Sequence, residues 1–446
     1  MRHFLQLLFA MFILSSEIYS SGTLLQSGPM VGYSDMVEVS LWVQTTEQAK
    51  VKFYYWVDMQ SDNRFVTDEV FTKKQNAFTA TLIANQVEPG NQYTYELYIN
   101  DNKIEFPYPL KFQTQKLWQW RTDAPDFSFA MGSGSYINEM LYDRPGEPYG
   151  GEYEIFSSIY QQEPDFMLWL GDNIYLREPD WNTRSGILYR YTHTRSLPEM
   201  QPLLGSVHHY AIWDDHDFGP NDSDRSFWNK ETTLEGFKLF FPNLGYGING
   251  NPGTTTFFQW SDVDFFLLDN RYYRSPLHRE FTNRQILGDE QIEWLIDALC
   301  YSKAVFKVIV IGGQFLNPLP LYENHANYPE ERKKILDLIE QENISGVVFI
   351  TGDRHFTEIA KLDRDGNYPL YEFTVSPLTS GPCTPCLEEP NPFRVEGTAV
   401  IERNFAIMTI TGIRNNRELT CKIYNARGEE LWNYSIHEND LKTHNK

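Results

Sequence analysis

The sequence predicts a chain of α/β class in two parts, an all-β amino-terminal domain followed by a larger α/β domain. Three observations carry this. Residues 24–115 show period-two apolar runs separated by turn signals. Past an aromatic linker around Leu117-Trp118-Gln119-Trp120, short apolar strands alternate with helical segments. The length of 446 residues also exceeds what a single hydrophobic core usually supports.

Composition narrows the class. A hydrophobic fraction of 41% with 15% aromatics is ample for packed cores and excludes a disordered polyelectrolyte. The formal charge of -22 opposes sequence-independent attraction to nucleic acid or anionic lipid, and no nucleic-acid-binding module is recognisable. It favours cation binding.

Residues 1–20 have the order of a secretory signal: Met1-Arg2-His3, an apolar run from Phe4 to Leu14, then small and polar residues. Cleavage is expected after Ser20, an uncleaved anchor being the alternative. No cysteine follows the run, so nothing supports a lipid anchor, and no later stretch is long and apolar enough for a transmembrane segment. The expected location is secreted or periplasmic.

Within 24–115, the runs 37–43, 50–56 and 93–99 alternate apolar and polar residues, with turns at Glu88-Pro89-Gly90-Asn91 and Asn100-Asp101-Asn102. This suggests a β-sandwich of immunoglobulin or fibronectin type III kind without the antibody disulfide. No catalytic cluster falls in it.

In the second domain, 120–446, strands are expected at 127–131, 165–170, 209–213, 263–268, 306–311 and 346–350. Helical patterns cover 289–300 and 328–341, and strand-like runs return at 371–375, 405–410 and 419–424. The stretches 177–195 and 225–253 carry no readable conformation. Cys383 and Cys386, in Gly381-Pro382-Cys383-Thr384-Pro385-Cys386, suit a small structural bridge in an oxidising compartment or two free thiols, and no second such pair exists for a zinc knuckle.

The chemistry lies at the strand ends. The run 165–170 leads into Gly171-Asp172-Asn173-Ile174-Tyr175, and 209–213 leads into Asp214-Asp215-His216-Asp217. The run 263–268 leads into Asp269-Asn270-Arg271, and 346–350 into Thr351-Gly352-Asp353-Arg354-His355. A single Gly-Asp after a strand is ordinarily a turn or a helix cap. Several such ends together, one of them a run of three carboxylates and an imidazole, cost desolvation and repulsion unless a cation compensates them. If these strands are neighbours in one sheet, their carboxyl ends form one rim, and Asp172, Asp214, Asp215, Asp353 and His355 converge there. Oxygen-rich ligands with one or two nitrogens suit Ca, Mn, Fe or Zn, commonly as two ions about 3.5 to 4 Å apart.

These blocks resemble a known family. Gly171-Asp172-Asn173-Ile174-Tyr175 is similar to the GDxxY block of metallophosphoesterases. Trp213-Asp214-Asp215-His216-Asp217 and Thr351-Gly352-Asp353-Arg354-His355 resemble the WDDHD and SGDRH blocks of the PhoD-like alkaline phosphatases, and Leu268-Asp269-Asn270-Arg271-Tyr272-Tyr273-Arg274 resembles another. The resemblance implies an amino-terminal β-sandwich before a calcineurin-like sandwich of two mixed sheets flanked by helices. It also implies a metal-dependent phosphoric ester hydrolase, phosphomonoesterase or phosphodiesterase, with an alkaline optimum and a metal-activated hydroxide. Its substrates would be small-molecule phosphate esters, and the oligomeric state is left open.

By the same resemblance Asp172 bridges two metal sites and Tyr175 is a phenolate ligand to ferric iron. Asp215 stands at a second-metal position, Asp353 and His355 are ligands from the late loop, and Asp214 is a second ligand or a brace. His216 lies beside the phosphate as donor or general acid, held by Asp217. Read from its own chemistry, Arg271 suits either bidentate phosphate binding or a salt bridge to Asp269 or a neighbouring acid. The resemblance fails at one point. Where the family carries a cysteine thiolate after the first strand, this chain reads Met131-Gly132-Ser133-Gly134-Ser135, and Gly134 has no side-chain donor. An oxygen-ligated site with another cation, a water in the vacancy, or a weakened enzyme follows. The rival reading is a non-catalytic metal- or ligand-binding surface protein derived from such a phosphatase. Asn221 and Asp222 suit a turn as well as an oxygen-rich site, and His208, His209 and His325 have no motif support.

Overall fold

The computed structural model describes residues 24–280 and 284–443. The expected signal segment lies outside them. Two mixed sheets pack face to face. The first has nine strands in the order Glu430–His437, Glu418–Asn425, Asn404–Thr411, Phe127–Gly132, Phe166–Leu170, His208–Ile212, Leu25–Ser34, Val39–Thr45, Thr79–Ala84. The second has six, in the order Thr256–Trp260, Val263–Leu267, Phe306–Ile311, Val347–Thr351, Leu370–Thr374, Glu358–Leu362. This is the two-sheet α/β sandwich that the motif resemblance implies.

Aromatic packing between the sheets sets their separation. Phe129 and Phe166, neighbours in the first sheet, stack with centroids 4.8 Å apart, and the edge of Phe265 from the second sheet meets both rings at 5.3 and 5.4 Å. All three side chains are fully buried. Such pairs add about 0.5–1.5 kcal/mol each beyond their burial. Helices Asp289–Tyr301 and Pro329–Gln341 bury Leu295, Leu299, Ile335 and Ile339 in this same core. The outer face of the nine-stranded sheet is covered by Ile155–Gln161, Arg184–Arg195, Gln201–Ser206 and Lys230–Phe240, whose apolar faces share a core with Trp169, Ala211 and Trp213. Two of these helices, Arg184–Arg195 and Lys230–Phe240, occupy stretches whose conformation the sequence does not reveal.

The amino-terminal part has its own core between two layers, with Val31, Leu41, Val51, Phe53, Tyr95 and Leu97 buried in it. One layer consists of strands belonging to the nine-stranded sheet. Leu25–Ser34 pairs parallel with His208–Ile212 through Val31 and His208, so the amino-terminal sandwich shares a sheet with the second domain. The strand was not legible because Gly28, Pro29 and Gly32 interrupt its pattern and its pairing with Val39–Thr45 shifts register three times.

His208 sits at that seam. Its Nδ1 lies 2.8 Å from the Gly32 carbonyl oxygen, and its Nε2 accepts the Gln113 N–H at 3.1 Å. A neutral ring protonated on Nδ1 satisfies both partners, whereas an imidazolium would point a second N–H at a donor. Burial lowers its pKa from 6.5 to about 4. The unfolded chain therefore takes up the proton first, and stability present above the unfolded value is lost as pH falls through 6.5 toward 4. The loss at this residue is on the order of 3 kcal/mol. Urea unfolding from pH 7 to pH 4 should show a shallower decline for His208→Gln than for the wild type. Equal slopes would remove His208 as a cause of acid sensitivity.

Candidate metal centre

Six of the parallel strands, three from each sheet, end at the same rim. Phe127–Gly132, Phe166–Leu170 and His208–Ile212 deliver residues 133–135, 171–175 and 213–217 from one sheet. Val263–Leu267, Phe306–Ile311 and Val347–Thr351 deliver 268–271, 312–314 and 352–355 from the other.

The backbone at this rim is strained at three of the candidate ligands. Asp172, Asp353 and His355 all have left-handed φ, at 51°, 66° and 53°. Asp and His tolerate that region better than most side chains, but they stay there only when their surroundings over-determine it. The Ser135 N–H donates to the Asp172 carbonyl at 2.8 Å, Ser133 Oγ accepts the Asp353 N–H at 3.1 Å, and Ser376 Oγ accepts the His355 N–H at 3.1 Å.

Asp172 is buried. The Tyr175 hydroxyl donates to its Oδ2 at 3.1 Å and also lies 2.9 Å from His355 Nε2, while that nitrogen is 4.0 Å from the same carboxylate oxygen. His355 Nδ1 faces the Tyr149 hydroxyl at 2.8 Å and the Gly381 carbonyl at 3.0 Å, which fixes the ring. Burial lowers the His355 pKa to about 4, leaving it a neutral nitrogen donor. Asp172 and Asp353 are pushed well above the usual carboxylate range, by burial first and then by the other carboxylates, Asp214 and Asp215 among them.

Asp214 caps the short helix Asp215–Phe218, and its Oδ1 accepts from the Asp215 N–H at 3.0 Å and from Asn270 Nδ2 at 2.8 Å. Asp215 Oδ2 accepts the Asp222 N–H at 2.8 Å, which makes the Pro220–Asp222 segment a turn that braces Asp215. At this rim three buried carboxylate oxygens have no hydrogen-bond partner: Asp172 Oδ1, Asp214 Oδ2 and Asp215 Oδ1. Ligand atoms of Asp172, Asp215 and His216 lie within 4.8 Å of one another, as do those of Asp214, Asp215 and Glu323. Buried anionic oxygens that face each other with no donor are costly unless cations lie between them.

This geometry corrects one expected role and decides between the two alternatives for another. Asp217 does not hold His216: its carboxylate accepts from the Asn173 N–H and side-chain amide and from the Asp214 N–H, at 3.0–3.2 Å, so it ties two ligand loops together. Arg271 does not face an open phosphate position. It is fully buried, donating from Nε to Asp214 Oδ1 and from NH1 to Glu323 Oε1 at 2.7 Å, with NH2 also on Glu323. Its acidic partners are thus Asp214 and Glu323, and Asp269 accepts only its backbone N–H, at 2.9 Å. His216 is one-fifth exposed, and its ring packs 4.2 Å from that of Tyr175.

The absent cysteine has a structural counterpart. Gly134 has φ +74°, and a Cβ built there would lie 2.7 Å from Ser380 Oγ and 3.2 Å from Pro377 Cβ. The side-chain space at this position is taken by Ser380, whose hydroxyl lies 3.4 Å from His355 Nε2. An alcohol thus stands beside the position at which the motif resemblance expects a thiolate.

Sequence reasoning missed Glu323, Tyr149, Ser380 and Gly312. Only Gly312 had a signal, as a Gly-Gly following the apolar run 306–311. A Cβ on Gly312 would lie 2.3 Å from Asp214 Oδ2 and 2.6 Å from Asn270 Nδ2. Gly312→Ala is therefore expected to push Asp214 out of place and cut metal affinity by roughly 10–100-fold, as other changes beside ligands do. Calorimetric titration of Mn into the metal-free variant measures this, and wild-type affinity would refute it. His208 and His209 are spent on Gly32, Gln113, Trp169 and Leu203, and His325 on Glu331. A disulfide joins Cys383 and Cys386.

Comparison with known proteins agrees with the strand-end blocks. Residues 254–422 match the family model of PhoD-like phosphatases, and residues 22–117 match a domain of unknown function, DUF7800. Alkaline phosphatase D of Bacillus subtilis (strain 168) is 24% identical over 264 residues, which span 48% of this chain and 45% of that protein. The chain thus matches about half the length of this curated relative. A structure of PhoD superposes with a TM-score of 0.78 at 17% identity, covering 94% of this chain and 92% of that one. A purple acid phosphatase from yellow lupin seeds (Lupinus luteus) superposes with a TM-score of 0.65 at 11% identity, covering 92% and 74%. The resemblance read from the motifs is borne out, and the fold is that of the metallophosphoesterases.

Proposed function

For a chain with the motifs and fold of the PhoD-like phosphatases, we propose the activity of a metal-dependent phosphoric ester hydrolase. The observation that carries this is the convergence of Asp172, Asp214 and Asp215 with one bare, buried carboxylate oxygen each, beside Tyr175, His355 and Asp353. Bare anionic oxygens are the donors a cation needs, and the hydroxyl of Ser380 at the Gly134 position makes the set richer in oxygen than a thiolate site. The residues fit hard or borderline cations such as Ca, Mn or Zn, whereas iron would lack its sulfur ligand. Asp172, Tyr175, His355 and Ser380 would hold one ion, and Asp214, Asp215, Asp353 and Glu323 another. Bound there, such ions neutralise phosphoryl oxygens and make water a nucleophile near neutral pH.

The protein's own groups do the rest. His216, next to Tyr175 at the open side of the rim, donates an N–H to a phosphoryl or leaving oxygen. Its Nε2 is 3.9 Å from Asp215 Oδ2, beyond hydrogen-bond distance, and burial lowers its pKa, which favours the neutral ring. It serves as a neutral donor, which remains usable in an alkaline medium. Asp217 and Asn173 act as positioning residues, holding the loops of Asp172 and Asp214 in register. Secretion accords with the apolar leader, and no helix among the described residues is long and apolar enough to cross a membrane.

The test is hydrolysis of p-nitrophenyl phosphate and of its bis ester by purified protein, before and after chelation, with Ca, Mn, Zn or Fe restored. Turnover of either ester that is lost on chelation and regained with metal is expected, with mono- against diester preference given by the ratio of rates. Full activity in the chelator, or none under any metal, would reject the hydrolase. The second outcome with tight metal binding would favour the non-catalytic surface protein that Gly134 suggests.

A further inference from the structure

Next to the metal centre lies a cavity of about 500 Å³ whose inner end is formed by His216 and Tyr175. That is far more room than a phosphate needs. Its wall is aromatic and continuous from the centre outward: the His216 ring contacts Tyr175 at 4.2 Å, Tyr175 contacts Tyr136 at 5.0 Å, and Tyr136 contacts Tyr149 at 5.0 Å. Tyr142 and Trp181, both part-exposed, line it further out.

The charges along it are nearly balanced. Arg177 stacks 3.9 Å over Tyr136 and is neutralised by Asp143 at 2.8 Å, and Arg144, Glu147 and Glu178 also line the cavity. The cavity offers no cationic surplus for a second phosphate. With His216 as the donor to the leaving oxygen, the group that departs from phosphorus lies on its side, in this cavity.

Resting on the hydrolase reading, we propose that the preferred substrates are phosphate monoesters or diesters with a planar aromatic, weakly charged leaving alcohol, an aryl alcohol or a nucleoside. Tyr142 and Trp181 would be specificity-determining residues. Such a group stacks on the tyrosine wall and Trp181, whereas a short aliphatic polyol leaves that surface wet. A leaving group that carries its own phosphate meets Glu147 and Glu178 and is disfavoured.

The experiment compares kcat/KM of the metal-loaded protein for 2-naphthyl phosphate, adenosine 5′-monophosphate and glycerol 2-phosphate. Equilibrium dialysis of 2-naphthol and adenosine against the same protein runs in parallel. Expected is at least a tenfold preference for one or both aromatic esters over glycerol 2-phosphate. The relative rates of the two distinguish an aryl from a nucleoside leaving group. Trp181→Leu and Tyr142→Ser should collapse the preference below threefold through KM, while Trp181→Phe, which keeps a ring, retains most of it. Equal turnover of all three esters, or variants that lower them in proportion, would overturn the proposal and leave the hydrolase standing. If no ester is cleaved but adenosine or 2-naphthol binds and the variants abolish binding, the cavity assignment holds and the hydrolase reading fails. Neither cleavage nor binding would overturn both.

Discussion

Asp172→Asn is expected to lower p-nitrophenyl phosphate turnover by on the order of 10³-fold or more, and at the same time to raise the melting temperature of the metal-free protein. Both effects come from one carboxylate. On the proposed assignment Asp172 would supply a carboxylate oxygen to a bound cation, and its loss would remove charge that such a site depends on. Without metal, it is a buried acid pressed against Asp214, Asp215 and Asp353, and both burial and those charges oppose its ionisation. An amide of the same shape relieves that repulsion. Thermal unfolding in chelator and in saturating Mn distinguishes the two roles. The wild type should gain stability on adding metal by mass action, about 2.7 kcal/mol at a hundredfold excess over Kd, and the variant should gain little. A variant that is less stable in chelator, or that gains as much from metal as the wild type, would contradict the assignment.

The second large effect belongs to Arg271. Its guanidinium is fully buried between Asp214 and Glu323 and also lies 3.9 Å from Asp215 Oδ1. Arg271→Met leaves buried acids without their counter-charge, a change that costs about 3–5 kcal/mol. Urea unfolding would measure it. Pairing it with Glu323→Leu should recover a substantial part, because apolar groups of similar volume replace a buried ion pair at small net cost. The double variant also tests position against chemistry. Were Arg271 a phosphate clamp, Arg271→Lys would raise KM without loss of stability; as a structural counter-ion, it should lose stability first.

Much of the site was legible in the sequence. Asp172, Tyr175, Asp214, Asp215, Asp353 and His355 each follow an apolar run, and parallel strands in a two-sheet sandwich bring such ends to one rim. The same rule left Asp217 misread and Arg271 open between phosphate and a neighbouring acid. Polar side chains that follow an apolar run share one sequence context, but packing sends Asp217 to Asn173 and Arg271 to Glu323. Glu323 was invisible because it lies in an irregular segment with no neighbouring motif.

Local sequence therefore determined what repeats locally: strand period, the placement of acids at strand ends, and the absence of a cysteine at position 134. Tertiary structure decided everything that depends on distant residues meeting. It joined the amino-terminal sandwich to the nine-stranded sheet through Val31 and His208, and it filled the space beside Gly134 with Ser380. It also lined the cavity beside His216 with tyrosines far from it in sequence, Tyr136 and Tyr149. The reason is physical: hydrophobic periodicity encodes which face of a strand is buried, whereas contact between loops is set by how two sheets stack and where each loop is tied down.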